Sequence, residues 1–193
     1  MSDNWYNHVD AERPLTQGDM IFDCPLIGWA SVDVNLTGGE ESETLKAATT
    51  AIKADVVVMT QACDLEHQKV PNLILCPHLS IDEYRNAWEE GMKNSRQTIT
   101  SRAWKTMCED IRDGYVWNLA MLNAGESGPL KIDHRIVDFR DIYTIPVTFL
   151  ESLLKQRGRP RLSLNPPYRE HLSQAFARFF MRVGLPSPVT SVW

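Results

Sequence analysis

The run Asp55-Val56-Val57-Val58-Met59-Thr60-Gln61 constrains this chain more than any other segment. Three consecutive β-branched residues are stiff at χ1 and project apolar bulk to both sides of an extended backbone. A strand buried on two faces needs no alternation, so the run predicts a central strand. Leu73-Ile74-Leu75-Cys76 has the same character, and the polar stretch between the two, with Pro71-Asn72, reads as their connection. With 193 residues, 43% of them hydrophobic, the chain can enclose one sizeable core and is short for two domains, so 1–193 reads as a single domain.

The remaining elements follow from local signals. Residues 1–17 lack periodicity and read as an amino-terminal arm ordered by Trp5 and Tyr6. Gly18-Asp19 is a turn, and Met20-Ile21-Phe22, a short run closed by Pro25, suits an edge or first strand of a small barrel. Residues 35–45, with two glycines and three glutamates, read as a solvated loop. Ser80 and Glu83 are spaced as a capping box, and helix patterns fill a helical insertion over 80–112. Residues 115–122 and 135–139 are further strand candidates around a glycine-containing loop, with 142–145 a weaker one. Val147 to Lys155 reads as a helix closed by Gly158, Arg161 to Leu164 as a strand, and 165–184 as a carboxy-terminal helix capped by Asn165. Short strands alternating with helices predict an α+β fold: a small, mostly antiparallel SH3-like barrel or curled sheet, with inserted helices and a carboxy-terminal helix across it.

Charge is segregated. Residues 1–100 hold 7 Lys and Arg against 16 Asp and Glu, whereas 101–193 hold 13 against 9. Arg157, Arg159, Arg161, Arg169, Arg178 and Arg182 dominate the basic end, and guanidinium groups favour bidentate contact with phosphate or carboxylate. These arginines are the predicted binding residues; a protein partner is the favoured occupant, with nucleic acid the other. No apolar run approaches the roughly 18 residues of a membrane span, and Met1 to Asp10 lack the pattern of a secretory leader. A cytoplasmic protein with no membrane partner is expected, its four cysteines reduced.

Chemistry is harder to find. Cys63, His67, Cys76 and His78 have zinc-ligand types at short spacing. A hairpin would hold Cys76 along the returning strand, away from Cys63, so buried cysteines and surface histidines are the favoured reading and the zinc-supported domain is an alternative. Cys63-Asp64 follows the strongest strand, where site residues are often placed, and His67 is one helical turn away as a base. The alternating charges of Asp133, His134, Arg135, Asp138, Arg140 and Asp141 read as a solvated edge. Phosphate-loop, dinucleotide, nucleophile-elbow and His-Glu-x-x-His patterns are absent, and no cofactor is expected.

Gly18-Asp19-Met20-Ile21-Phe22, a spacer, and then Val56-Val57-Val58-Met59-Thr60-Gln61 is similar to the opening of the PemK/MazF family of bacterial toxins. That resemblance implies an SH3-like barrel and RNA cleavage, with Asp19, Lys53, Cys63 and Asp64 near the catalytic site. Lys53-Ala54-Asp55 stands where the family pattern has Arg-Pro, so Lys53 would replace the basic group. Thr60-Gln61-Ala62-Cys63-Asp64-Leu65 and the stretch from Arg178 to Pro186 also resemble small bacterial proteins to which no activity is attached. Two function classes therefore stand at this point. The favoured one is a non-enzymatic binding or accessory module of a bacterial cytosolic system, of the toxin–antitoxin or phage-defence kind; the alternative is an endoribonuclease.

Overall fold

The structure, a computed structural model, describes residues 4–30 and 41–181. In chain order these form β1 (Tyr6–Val9), β2 (Asp19–Trp29), α1 (Glu41–Ala48), β3 (Thr49–Val58), α2 (Ala62–Glu66), β4 (Asn72–Ser80), α3 (Ile81–Asn94) and α4 (Ser101–Arg112). Then come β5 (Leu119–Leu122), β6 (Gly125–Ser127), β7 (Leu130–Ile132), β8 (Arg135–Asp138), β9 (Tyr143–Pro146), α5 (Val147–Arg157), β10 (Arg161–Leu164) and α6 (Tyr168–Phe180).

The valine run is the middle of the main sheet. Its strands lie in the order β1-β10-β2-β3-β4-β8-β5, with β9 also paired to β4, and all the pairings are antiparallel. Val56, Val57 and Val58 are fully buried. Because side chains alternate across a strand, Val57 enters one core with Met20, Tyr6, Cys76, Leu162 and Leu172, while Val56 and Val58 enter another with Ile21, Leu26, Leu75, Leu150 and Leu154. Each buried valine contributes about 1.5–3 kcal/mol, so this triplet anchors both layers at once.

Among the described residues no SH3-like barrel and no strongly curled sheet forms, contrary to the fold expected from the sequence. The end strands β1 and β5 share no pairing, and the path stays open. The physical reason lies in the two cores. Phe176 and Phe179 of α6 cover the first face and Leu150 and Leu154 of α5 the second, so the sheet is a middle layer rather than a wall closed on its own side chains.

Several local expectations also change. Met20-Ile21-Phe22 is neither an edge strand nor the first strand of a barrel; it begins β2, which continues past Pro25 to Trp29 and lies between β10 and β3. The arm contributes β1, paired along Tyr6 to Val9 with β10. Of the predicted loop at 35–45, residues 41–45 belong to α1, and the rest lies outside the described residues. The glycine-containing loop before β8 holds the β6–β7 hairpin, which closes over Tyr6; a Cβ on Gly125 would stand 2.8 Å from the Tyr6 ring, so only glycine fits there. The helical insertion forms as α3 and α4, with the Ser80–Glu83 capping box present, and a third apolar cluster around Ile111, Leu119 and Ile136 seats it on β5 and β8. α6 starts at Tyr168, and Asn165 instead donates its side-chain amide to the Asn4 carbonyl.

Candidate functional site

The principal cleft opens where β2 and β10 part. Their register covers only Met20↔Leu162 and Ser163↔Asp19, after which β2 bulges between Ile21 and Cys24. Asp23 at this bulge takes a left-handed backbone with φ of 50°, a conformation that aspartate tolerates better than most residues. Bulges re-aim side chains and often border sites. The resulting cleft encloses about 550 Å³ between β2, β7, the end of α5 and the start of β10. Phe22, Leu130 and Pro160 give it an accessible apolar wall, with Met20, Ile21 and Leu162 buried behind it, and Lys53, Lys131 and Arg159 stand around it.

These three cations are exposed, and within the described residues none of them is held by an ion pair or side-chain hydrogen bond. Arg157 is different. Its Nη1 and Nη2 donate to the carbonyls of Phe22 and Asp23 at 2.8 and 2.6 Å, tying the end of α5 to the bulge. The Asp23 amide donates in turn to Asp55 Oδ1 at 3.0 Å, and Asp55 Oδ2 accepts from Arg135 Nη2 at 2.5 Å. Arg135 Nε donates to His78 Nδ1 at 2.9 Å. The Arg135 guanidinium also lies 5.4 Å from the Phe22 ring centroid, and Phe22 meets His78 edge to face. The rim is thus braced through β2 and β3 to a buried Arg–His pair. Burial and the adjacent guanidinium push the His78 imidazole down to about 3, so it is neutral.

Arg161 lines the cleft but is already committed. It is buried, with Nε donating to Asp19 Oδ2 at 2.7 Å and its remaining nitrogens donating to the carbonyls of Asp10, Arg13 and Pro14. Burial raises the Asp19 carboxyl above the usual carboxylate range, while Arg161, Ser163 and Thr16 pull it back. This pair clamps the amino-terminal arm onto the sheet.

The other sequence-nominated residues are dispersed. Arg169 pairs with Glu170 on α6, and Arg178 lies over the Trp117 ring, away from the cleft lining. Arg182 lies outside the described residues. Lys53 and Val58 are about 16 Å apart along β3 at ~3.3 Å per residue, and Cys63 and Asp64 come beyond Val58 on α2, so Lys53 does not join them. Asp19 is enclosed with Arg161. Cys63 is exposed, and its Sγ meets Gln61 Oε1 at 3.7 Å and Asp64 Oδ1 at 3.8 Å, with no imidazole partner among its hydrogen bonds. His67 caps the end of α2, whereas Cys76 and His78 are buried in β4. Among the described residues no group of three or more His, Cys, Asp or Glu side chains could hold a metal ion.

Lys131 and the Asp55–Arg135–His78 brace escaped the sequence reading. Lys131 sits on a hairpin of two three-residue strands, too short for a periodic signal, and the brace joins three strands distant in sequence. The alternating charges around Arg135 read as a solvated edge, yet Arg135 itself is buried. Among the described residues no helix is long and apolar enough to cross a membrane. Compared with known proteins, the chain matches no family model and no curated sequence.

Proposed function

We propose that this protein is a non-enzymatic binding module whose cleft holds a multiply charged organic anion of the phosphate-bearing kind. The observation that carries this reading is the set of unpaired cations, Lys53, Lys131 and Arg159, around an apolar wall. Among the described residues the cleft lining contains no Ser, Thr, Cys or His, and its polar side chains are mainly cations, which supports binding over catalysis.

Magnitudes narrow the ligand. An exposed charge contact contributes about 0.2–1 kcal/mol, whereas millimolar affinity alone needs about 4 kcal/mol. Three such contacts do not retain a lone inorganic anion. A ligand that also lays an apolar or aromatic part against Phe22, Leu130 and Pro160 gains the missing free energy, and a cleft of this volume is large enough for one.

Titration with adenosine triphosphate and with inorganic pyrophosphate, followed by calorimetry, tests the reading. The nucleotide is expected to bind and pyrophosphate to give no measurable heat, and the double substitution Lys53→Gln with Arg159→Gln is expected to abolish nucleotide binding. Absence of nucleotide binding, or binding that survives the double substitution, removes the proposal. Equal binding of a polyglutamate peptide would identify an acidic protein segment as the occupant instead.

A further inference from the structure

The cleft continues into a second surface. β10 pairs with β2 only as far as Met20, and β4 pairs with β3 only as far as Val56. Beyond those points, residues 24–29 and 49–54 form a two-stranded ribbon. Directly opposed residues of an antiparallel pair share a face. Pro25 with Lys53, Ile27 with Ala51 and Trp29 with Thr49 therefore line one side. The other side is spoken for: Cys24 and Leu26 enter the second core, and Gly28 lies against Ile52. On the first side Ile27 and Trp29 are each 71% exposed, an unusual state for two large apolar side chains three positions apart or less.

Lys53 belongs to both surfaces. It lines the cleft and is the first cation of the ribbon face. From Lys53 to Thr49, opposite Trp29, the ribbon runs about 13 Å at ~3.3 Å per residue. An unpaired basic cleft thus leads, over a few nucleotides' length, to an exposed indole.

We propose that this continuous surface binds single-stranded nucleic acid, with phosphates at Lys53, Lys131 and Arg159 and a base stacked on Trp29. The inference rests on the cleft being an anion site and adds the polymer and its direction. Charge complementarity favours a polyanion. The aromatic platform selects a strand whose base faces are free, because the bases of a duplex are already stacked on one another. Binding along a row of cations is salt-dependent and tolerant of sequence.

The test compares a twelve-nucleotide oligothymidylate, the corresponding duplex and adenosine triphosphate against the full chain and its Trp29→Ala, Trp29→Phe and Ile27→Ala variants. Fluorescence anisotropy follows the oligonucleotides and calorimetry the nucleotide. Trp29→Ala is expected to weaken oligothymidylate binding about tenfold, the loss typical of one base–aromatic stack, with nucleotide binding unchanged and Trp29→Phe restoring most of the affinity. Far-ultraviolet circular dichroism confirms that each variant folds. If the nucleotide binds but oligothymidylate gains nothing from Trp29, or the duplex binds as tightly, the inference fails while the cleft reading stands. If neither nucleotide nor oligothymidylate binds, both fail.

Discussion

Arg135 Nε donates to His78 Nδ1 at 2.9 Å, and both side chains are buried between neighbouring strands of the main sheet. Arginine keeps its hydrogens at all ordinary pH values, so Nδ1 must be the acceptor and the imidazole must be neutral. A charged ring would place two cations in contact inside the protein.

That contact predicts acid sensitivity of defined sign. The folded-state His78 value is lowered to about 3 from about 6.5, so between those limits the unfolded chain binds the extra proton. Stability attributable to this group is complete above about pH 6.5 and is lost as pH falls toward 3. Urea denaturation at pH 7.5 and pH 5 should show a loss of about 2 kcal/mol from this source, the slope approaching about 1.4 kcal/mol per pH unit below pH 6. His78→Gln should flatten that segment of the profile. An unchanged slope would mean that the ring is not held neutral by Arg135.

How far the sequence announces this architecture depends on the range of each interaction. The valine run places β3 between two cores because its β-branched residues fill both faces, and that information is local. The Ser80–Glu83 box and Gly158 at the end of α5 are local too, and both elements stop or start where those residues dictate. Closure into a barrel is not local. It would require β1 to meet β5, and no residue pattern within either strand records whether they do. The same holds for the site. The arginine-rich stretch pointed to Arg157 and Arg159, but only the fold shows that Arg161 is consumed by Asp19 and that Lys53 and Lys131 join the cleft from other strands.

The Asp19–Arg161 pair makes a second prediction. Removing one partner of a buried ion pair costs about 3–5 kcal/mol because the other charge is left uncompensated. Arg161→Ala should therefore destabilise the protein by about that amount. Arg161→Lys should rescue little, since one ammonium does not reproduce the fork that reaches Asp19 and the carbonyls of Asp10, Arg13 and Pro14. Hydrogen exchange should report loss of protection in residues 10–17. Full rescue by lysine would reduce the clamp to simple charge pairing.

The capping box allows a cleaner measurement. Ser80 Oγ accepts from the Glu83 amide at 3.2 Å while a Glu83 carboxylate oxygen accepts from the Ser80 amide at 2.7 Å. The Ser80 hydroxyl also donates to that carboxylate at 2.6 Å, so Ser80→Ala removes both bonds of the side chain and should cost about 1 kcal/mol in urea denaturation. Hydrogen bonding to Ser80 lowers the Glu83 carboxyl, so the wild-type advantage should be present at neutral pH and shrink as pH falls below the ordinary glutamate value. A Ser80→Ala cost that stays constant to low pH would show that Glu83 takes no part.

Thiol reactivity separates the four cysteines. Cys63 is exposed on α2, Cys108 is half-buried, and Cys24 and Cys76 are buried in the sheet. Burial pushes the Cys24 thiol up to about 11 and the Cys76 thiol up to about 12, and it raises Cys108 as well. Since the thiolate is the reactive form, a disulfide reagent at pH 8 should modify Cys63 first, Cys108 more slowly, and Cys24 and Cys76 only on unfolding. Cys63→Ala should eliminate the fast phase. A second fast thiol in the native protein would mean that the sheet opens more readily than its packing implies.

Lys131 supplies the sharpest check on the cleft, because it arrives from the β6–β7 hairpin and not from the arginine-rich segment. If it meets a phosphate of a bound single strand, its removal eliminates one released counterion. The logarithm of the association constant falls with the logarithm of salt by about 0.7 per contacted phosphate on a single strand. Lys131→Gln should therefore lower the magnitude of that slope by about 0.7 and weaken binding without changing base preference. Trp29→Ala should do the reverse, reducing affinity with the slope unaltered, because stacking releases no counterion. The two substitutions sit on separate strands of the surface and share no partner, so their effects should add. A slope indifferent to Lys131 would leave the hairpin as a cover for Tyr6 alone.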